Sequence, residues 1–397
     1  MEKIVISLTT YPERISGIPK VLDSIMTQTY KADKVVLYLS EEQFANREIP
    51  VDLSAYFEWG LEICWCGGDM KSHKKYLYAF QEYPDDYIIT IDDDYYYEKH
   101  MIEEFVQNVS KFPACVLARR THLITVDQNG IMSEYNKWWD RCSHYIEVPR
   151  MDLFAVGCGG ILYPPHIITK EVFNINNIKK YCMSADDVWL KVMELISKVP
   201  VVQVSTKYLD RFDEIFANNG LYQKHNIKGG NDRSLCQLME IYENFGDLKE
   251  SLIERVFSMG ITYENEIEEG RKKDNIKLTE KCIDGIGKDK DIVIYGAGTV
   301  AKRVYKALEH YKKADKIRAF VVEDTHRNVS AIKGIKVLQY KEADYKNAVC
   351  IIAISGLNEQ YLIRNRLLAL ELKEEQIQLL NCWVLMGLQE LADDRLW

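Results

Sequence analysis

The sequence contains no Cys-x-x-Cys pair and no His/Cys spacing of the kind that holds a structural zinc, although it has ten cysteines. Apart from Cys64 and Cys66 they are scattered, which fits reduced thiols of a cytosolic protein rather than a disulfide framework. No stretch approaches the ~18 apolar residues of a membrane-spanning helix, and the apolar run in MEKIVISLTT is too short for the core of a secretory signal. The expected location is therefore the cytoplasm, either free or peripherally at the inner face of the membrane. Excess positive charge is also missing. A net charge of −9 and a pI near 5.6 speak against non-specific nucleic-acid binding. No Gly-rich run is followed by Gly-Lys-Ser or Gly-Lys-Thr, so a P-loop is excluded. At 397 residues, the chain is long enough for two or three domains.

What is present is organised around Tyr87–Tyr97, YIITIDDDYYY. Its β-branched and aromatic residues predict a central strand, and the strand ends in Asp92, Asp93 and Asp94. Residues two apart in an extended chain face the same way, so Asp92 and Asp94 can present two carboxylates to one point. Like charges that close call for a cation, and a divalent ion would supply it. The alternative is a solvated acidic turn capping a strand.

The chain opens strand, loop, helix, strand: Ile4–Leu8, the loop Thr9-Thr10-Tyr11-Pro12-Glu13-Arg14, a helix with apolar positions at Ile18, Val21, Leu22 and Ile25, and Val35–Leu39. This alternation predicts a parallel sheet with right-handed crossovers, in which ligands sit beyond the carboxyl ends of the strands. Thr9, Thr10, Tyr11 and Arg14 lie where a nucleotide would be met. Lys71-Ser72-His73-Lys74-Lys75 starts a helix leading into the acidic strand; Lys71 and Lys75 are candidates to hold a diphosphate, and a solvated basic face is the other reading. Trp138 and Trp139 read equally as a sugar-stacking platform or as core.

Further along, Gly157, Gly159 and Gly160 in FAVGCGGILY permit close backbone approach. Ser184-Ala185-Asp186-Asp187 opens a helix, and these residues suit a capping box as well as a general base placed at a helix start. His225, in the loop before Gly229-Gly230-Asn231-Asp232, is a candidate metal ligand or phosphate donor.

Taken together, IVISLTTYPERI, the lysine-rich helix start, IDDD, GCGGILYPP, the Ala-Asp-Asp before a helix and Gly-Gly-Asn-Asp resemble a bacterial glycosyltransferase of the GT-A fold. The resemblance is to family-2-like enzymes of capsule or lipopolysaccharide clusters, over roughly residues 1 to 245. It implies that Asp92 and Asp94 bind Mn²⁺ or Mg²⁺ and, with Asp93 alongside, the diphosphate of a nucleotide-sugar donor. It implies that Asp187, with Asp186 beside it, supplies the base of an inverting transfer to a glycan or lipid-linked glycan acceptor. The first loop would contact the nucleotide. The Gln-x-x-Arg-Trp motif of processive synthases is missing, which favours single additions.

From Asp291, IVIYGAGTVAKRVYKAL gives a strand, Gly296-x-Gly298-x-x-Ala301 and an opening helix, and a second strand, Ile317–Val322, ends at Glu323 and Asp324. This stretch resembles the small Rossmann-like domains found beside polysaccharide-biosynthesis enzymes and lacks a catalytic Tyr-x-x-x-Lys. It implies a nucleotide-binding relic, a regulatory module or an assembly surface, including homo-oligomerisation. The expected layout is a GT-A-like α/β domain at 1–249 with a mostly parallel mixed sheet, a helical linker at 250–288 and a Rossmann-like domain at 289–397. Two other functions fit in outline. A sugar nucleotidyltransferase is opposed by the absence of a Gly-x-Gly-x-Arg-like loop after the first strand; a non-catalytic scaffold would work through the C-terminal unit.

Overall fold

The computed structural model describes residues 3–140, 145–205, 213–215, 229–243, 245, 250–286, 290–380 and 382–393. The chain divides into two compact units, Met1–Ile267 and Glu268–Trp397. The division falls within the stretch read as a linker. Leu252 and Val256 join the core of the first unit, and Ile283 and Ile286 that of the second.

Among the described residues of the first unit, seven strands form the main sheet: β1 (Ile4–Thr9), β2 (Lys34–Ser40), β3 (Leu61–Cys66), β4 (Tyr87–Thr90), β5 (Val116–Ala118), β6 (Ile161–Tyr163) and β7 (Val201–Gln203). Their spatial order is β7-β5-β6-β4-β1-β2-β3. β1 is an interior strand, paired with β4 on one side and β2 on the other, and Ile4, Val5, Ile6 and Leu8 are all buried, the continuous apolar run expected of a parallel strand covered on both faces. Helix α1 (Ile18–Met26) begins with Pro19 in its first turn, where the missing N–H costs nothing, and buries Ile18, Val21, Leu22 and Ile25.

All pairings in this sheet are parallel except those of β6, which runs antiparallel to both β4 and β5. That reversal positions the site. Ile161 lies opposite Thr90, so the residues leading into β6 pass alongside those leaving β4. The glycine run at 157–160 is thereby carried past the acids at 92–94, about 65 residues apart in sequence.

Trp138 and Trp139 are buried, and Trp138 donates its ring N–H to the Ser133 carbonyl. Trp138 stacks obliquely with Tyr135 and Phe154, so the core reading holds and the sugar-platform reading is set aside. Helix α2 (Asp186–Ser197) starts without a side-chain cap: its N-cap is Ala185, and the Ser184 hydroxyl accepts instead from Lys71 Nζ at 3.0 Å. The capping box expected from Ser184 and Asp187 does not form.

The second unit has its own sheet: β8 (Asp291–Tyr295), β9 (Ile317–Val322), β10 (Ala331–Ile332), β11 (Ile335–Gln339), β12 (Ala348–Ile352) and β13 (Ile377–Leu379). The order is β10-β11-β9-β8-β12-β13, parallel except for the β10–β11 hairpin. Helix α3 (Thr299–His310) follows β8, and α4 (Leu357–Leu368) follows β12.

Candidate active site

Asp92, Asp93 and Asp94 leave β4 into a turn at the carboxyl edge of the sheet. Asp92 is anchored through its backbone: its N–H donates to the hydroxyl of buried Tyr97 at 2.8 Å. The three carboxylates then divide between two cations.

Asp93 accepts from Thr10 Oγ1 at 2.6 Å and from Arg14 at 2.8 Å, and the same Arg14 nitrogen lies 2.8 Å from Asp94. The first loop therefore grips the acidic turn. Burial is the main force on both carboxyls, raising Asp93, against which Arg14 and Thr10 pull down, and lifting Asp94 to about 7 with help from its acidic neighbours. Tyr11 lies beside Arg14, whose guanidinium is 5.7 Å from the ring centre. Thr9 does something else: its hydroxyl donates to the Tyr38 carbonyl at 2.7 Å, tying β1 to β2.

Lys75 is the second cation. Its ammonium sits 2.6 Å from Asp92 Oδ1 and 2.8 Å from Asp186 Oδ2, joining the β4 turn to the start of α2. Lys74 pairs with Asp69 at 2.8 Å, and both lysines are buried. The solvated basic face considered for this run is thus ruled out for Lys74 and Lys75. The lysine segment is held in place by Ser7, whose hydroxyl donates to the Lys75 carbonyl, and by buried His73, which spans the Tyr76 hydroxyl and the Cys182 carbonyl at 2.7 and 2.8 Å.

Asp186 and Asp187 are adjacent yet differ sharply. Burial works to raise both. For Asp186 it is outweighed by Lys75 and by His73, and the carboxyl falls to about 2. For Asp187 burial is reinforced by the neighbouring Asp186, and the carboxyl rises to about 8. Asp187 Oδ2 accepts from the Gly157 backbone N–H at 3.1 Å, whereas its Oδ1 is buried with no hydrogen-bond partner among the described residues.

Gly157 is where these groups meet. A Cβ there would lie 3.1 Å from Asp187 Oδ1, 3.1 Å from Lys75 Nζ and 3.2 Å from Asp92 Oδ1. Glycine is what lets one backbone segment touch both acidic clusters at once. Sequence reasoning read the glycine run as a place of close approach; what it missed was the partner, which only the antiparallel register of β6 supplies.

Lys71 is directed to Ser184 rather than to the acids. His225 lies outside the described residues.

A divalent ion suits the chemistry of the acidic turn. Asp92 and Asp94 offer hard carboxylate oxygens, and the Asp92 side chain keeps 30% of its surface exposed. Among the described residues no group of three or more His, Cys, Asp or Glu side chains could hold an ion by itself. An ion held by one or two carboxylates and completed by substrate phosphates and water, the usual habit of Mg²⁺, fits such a set.

Residues 5–160 match the family model described as glycosyl transferase family 2. The match falls in the first unit, whose mostly parallel mixed α/β sheet is of the kind found in glycosyltransferases of the GT-A fold. The match contains the first loop, the lysine segment, the acidic turn and Gly157, and it ends before Asp186 and Asp187. No curated protein matches the sequence. Among solved structures, the chain is similar to the mannosyltransferase PcManGT from Pyrobaculum calidifontis in complex with GDP-Man and Mn²⁺, at 10% identity and a TM-score of 0.42, covering 100% of this chain and 87% of that one. It is also similar to S. aureus TarS, at 13% identity and a TM-score of 0.37, covering 72% of this chain and 48% of that one. A third likeness is to S. aureus TarS 1-349 in complex with UDP-GlcNAc, at 12% identity and a TM-score of 0.40, covering 80% and 89%.

Proposed function

We propose that the first unit is a metal-dependent, inverting glycosyltransferase that moves a sugar from a nucleotide-diphosphate donor to a hydroxyl of a glycan or lipid-linked glycan acceptor. The setting would be bacterial surface-polysaccharide synthesis at the inner face of the membrane. The observation that carries this reading is the contrast between the two aspartates at the start of α2. Asp186 is spent on Lys75, while Asp187, held on one oxygen by Gly157 N–H, has a second oxygen with no hydrogen-bond partner among the described residues. A carboxylate whose proton affinity has been raised toward the working pH is what a general base requires.

In this reading Asp187 Oδ1 takes the proton of the acceptor hydroxyl. The acceptor oxygen forms its bond to the anomeric carbon as the bond from that carbon to the diphosphate breaks on the opposite face. The electron pair leaves with the nucleoside diphosphate, and configuration inverts. Arg14 fixes Asp93 and Asp94 in position, and Lys75 keeps Asp92 and the start of α2 in register. An Mn²⁺ or Mg²⁺ ion at Asp92 and Asp94, when bound, would offset the charge gathering on the departing diphosphate. Thr10, Tyr11 and Arg14 line the approach of the nucleotide.

The test is incubation with a panel of nucleotide sugars and Mn²⁺, reading released nucleoside diphosphate. Release from one donor, abolished by EDTA and restored by added metal, is expected. Turnover that survives EDTA undiminished would remove the metal from the scheme, and no release from any donor with any sugar acceptor would remove the transferase reading.

A further inference from the structure

The second unit contains a cavity of about 420 Å³ that the transfer reaction does not use. It is in the size range of small-molecule sites. Its position follows from the topology. The chain starts the sheet at β8 in the middle, builds β9 and β11 on one side, then crosses to β12 and β13 on the other. In such sheets the loops after the two strands flanking the reversal part from each other and leave a crevice at their carboxyl ends. The cavity is lined from both of those loops: Gly296, Ala297 and Gly298 follow β8, and Ile354 and Glu359 follow β12, while Glu323 follows β9.

The lining has three chemically distinct parts. At the glycine loop, Gly296 has φ +121° and a Cβ there would sit 2.9 Å from the Ala353 carbonyl, so the tight turn admits only glycine. Gly298 is different: among the described residues nothing lies within 4 Å of a Cβ at that position, so its backbone borders open space. It precedes α3, which has no side-chain cap and no acid in its first turn, and whose leading N–H groups therefore remain available to an anion. The second part is Glu323, ion-paired with Arg366 and approached at 3.4 Å by the Tyr295 hydroxyl. A carboxylate at this place can accept from vicinal hydroxyls, and Arg366 keeps it from repelling a nearby phosphate. The third part is apolar: Val322, Ile354, Ile363 and Leu362, the last left 58% exposed although it is a large aliphatic side chain.

We propose that this cavity is a second nucleotide site, which takes a nucleoside diphosphate moiety with its phosphates at Gly298 and the α3 N-terminus, its ribose at Glu323 and its base against Ile354 and Leu362. The proposal is independent of the transferase reading, because no residue of the acidic turn contributes to it. A nucleoside diphosphate can come from a mononucleotide or from a dinucleotide, and the ligand panel separates them.

The experiment is calorimetric titration of the full chain with UDP, GDP, ADP and NAD⁺, using wild type, Gly298→Glu and Asp94→Asn. Gly298→Glu places a carboxylate in open space at the phosphate position and leaves the sheet alone. Leu362→Ala, at the exposed rim, is a second, milder probe. The expected result is a binding event retained in Asp94→Asn and weakened at least about tenfold in Gly298→Glu, a loss of ~1.4 kcal/mol or more, while nucleoside diphosphate release by the Gly298→Glu variant stays as in wild type. Binding of UDP, GDP or ADP without NAD⁺ would assign a mononucleotide, and binding of NAD⁺ a dinucleotide; either supports the site. The inference is overturned if none of the four ligands binds Asp94→Asn, or if Gly298→Glu and Leu362→Ala both bind as wild type does.

Discussion

Replacing Lys75 with Met tests how the two acidic clusters are held together. The ammonium is buried between Asp92 and Asp186, at 2.6 and 2.8 Å, and methionine keeps the length of the side chain but removes the charge. Asp186 sits at about 2 against an ordinary value of 3.8, largely because Lys75 overcomes the burial that would otherwise raise it. A folded-state value below the unfolded one stabilises the fold above the unfolded value and is lost as pH falls through the folded one. In wild type that contribution is in place above pH 3.8 and disappears toward pH 2. A shift of that size is worth about 2 kcal/mol. Removing one partner of a buried pair costs ~3–5 kcal/mol, because the other charge is left unpaired. The variant should therefore lose about 2–5 kcal/mol in urea unfolding at pH 7. The deficit should shrink as pH is lowered from 7 to 5, since the orphaned carboxylates can then take protons, and adding Asp186→Asn should recover part of it. A variant within about 0.5 kcal/mol of wild type at pH 7, the scatter of ordinary surface changes, would refute the view that Lys75 holds the site together.

Gly157→Ala should cost about tenfold in turnover, since its Cβ must displace Asp187, Lys75 or Asp92 by a few tenths of an ångström; steady-state kinetics beside a thermal melt will show whether activity falls further than stability. His73 is buried and held near 4, below its usual 6.5, chiefly by that burial, so it is neutral in the fold. Its contribution is present above pH 6.5 and lost as pH falls toward 4, about 3 kcal/mol in all. His73→Gln should flatten that part of the stability–pH curve, and an unchanged slope between pH 6.5 and 4.5 would contradict the assignment.

Much of the fold can be read in the sequence because its central strands are short apolar runs between turn residues, and strand–helix alternation from Ile4 to Leu39 constrains the sheet to be parallel. The acidic turn and the first loop were legible for the same reason: both sit at strand ends. The remainder depends on contacts between distant residues. Nothing local in Lys74 or Lys75 marks them as buried, because their acids, Asp69, Asp92 and Asp186, are reached only through the tertiary fold. Ser184 and Asp187 carry a capping signature, yet Ser184 pairs with Lys71 and Asp187 with Gly157. The meeting of Gly157 with Asp92 is set by the reversed strand β6, and periodicity cannot reveal a reversal. Trp138 and Trp139 show the converse: aromatic side chains that suit a sugar in composition are packed into the core.

The most direct measurement of the central claim is nucleoside diphosphate release by Asp187→Asn in the presence of donor, metal and acceptor, with donor affinity measured alongside. The account predicts turnover down by roughly 10²–10⁴, the contribution of a positioned general base, with donor binding close to wild type. Turnover near wild type with donor still bound would contradict it.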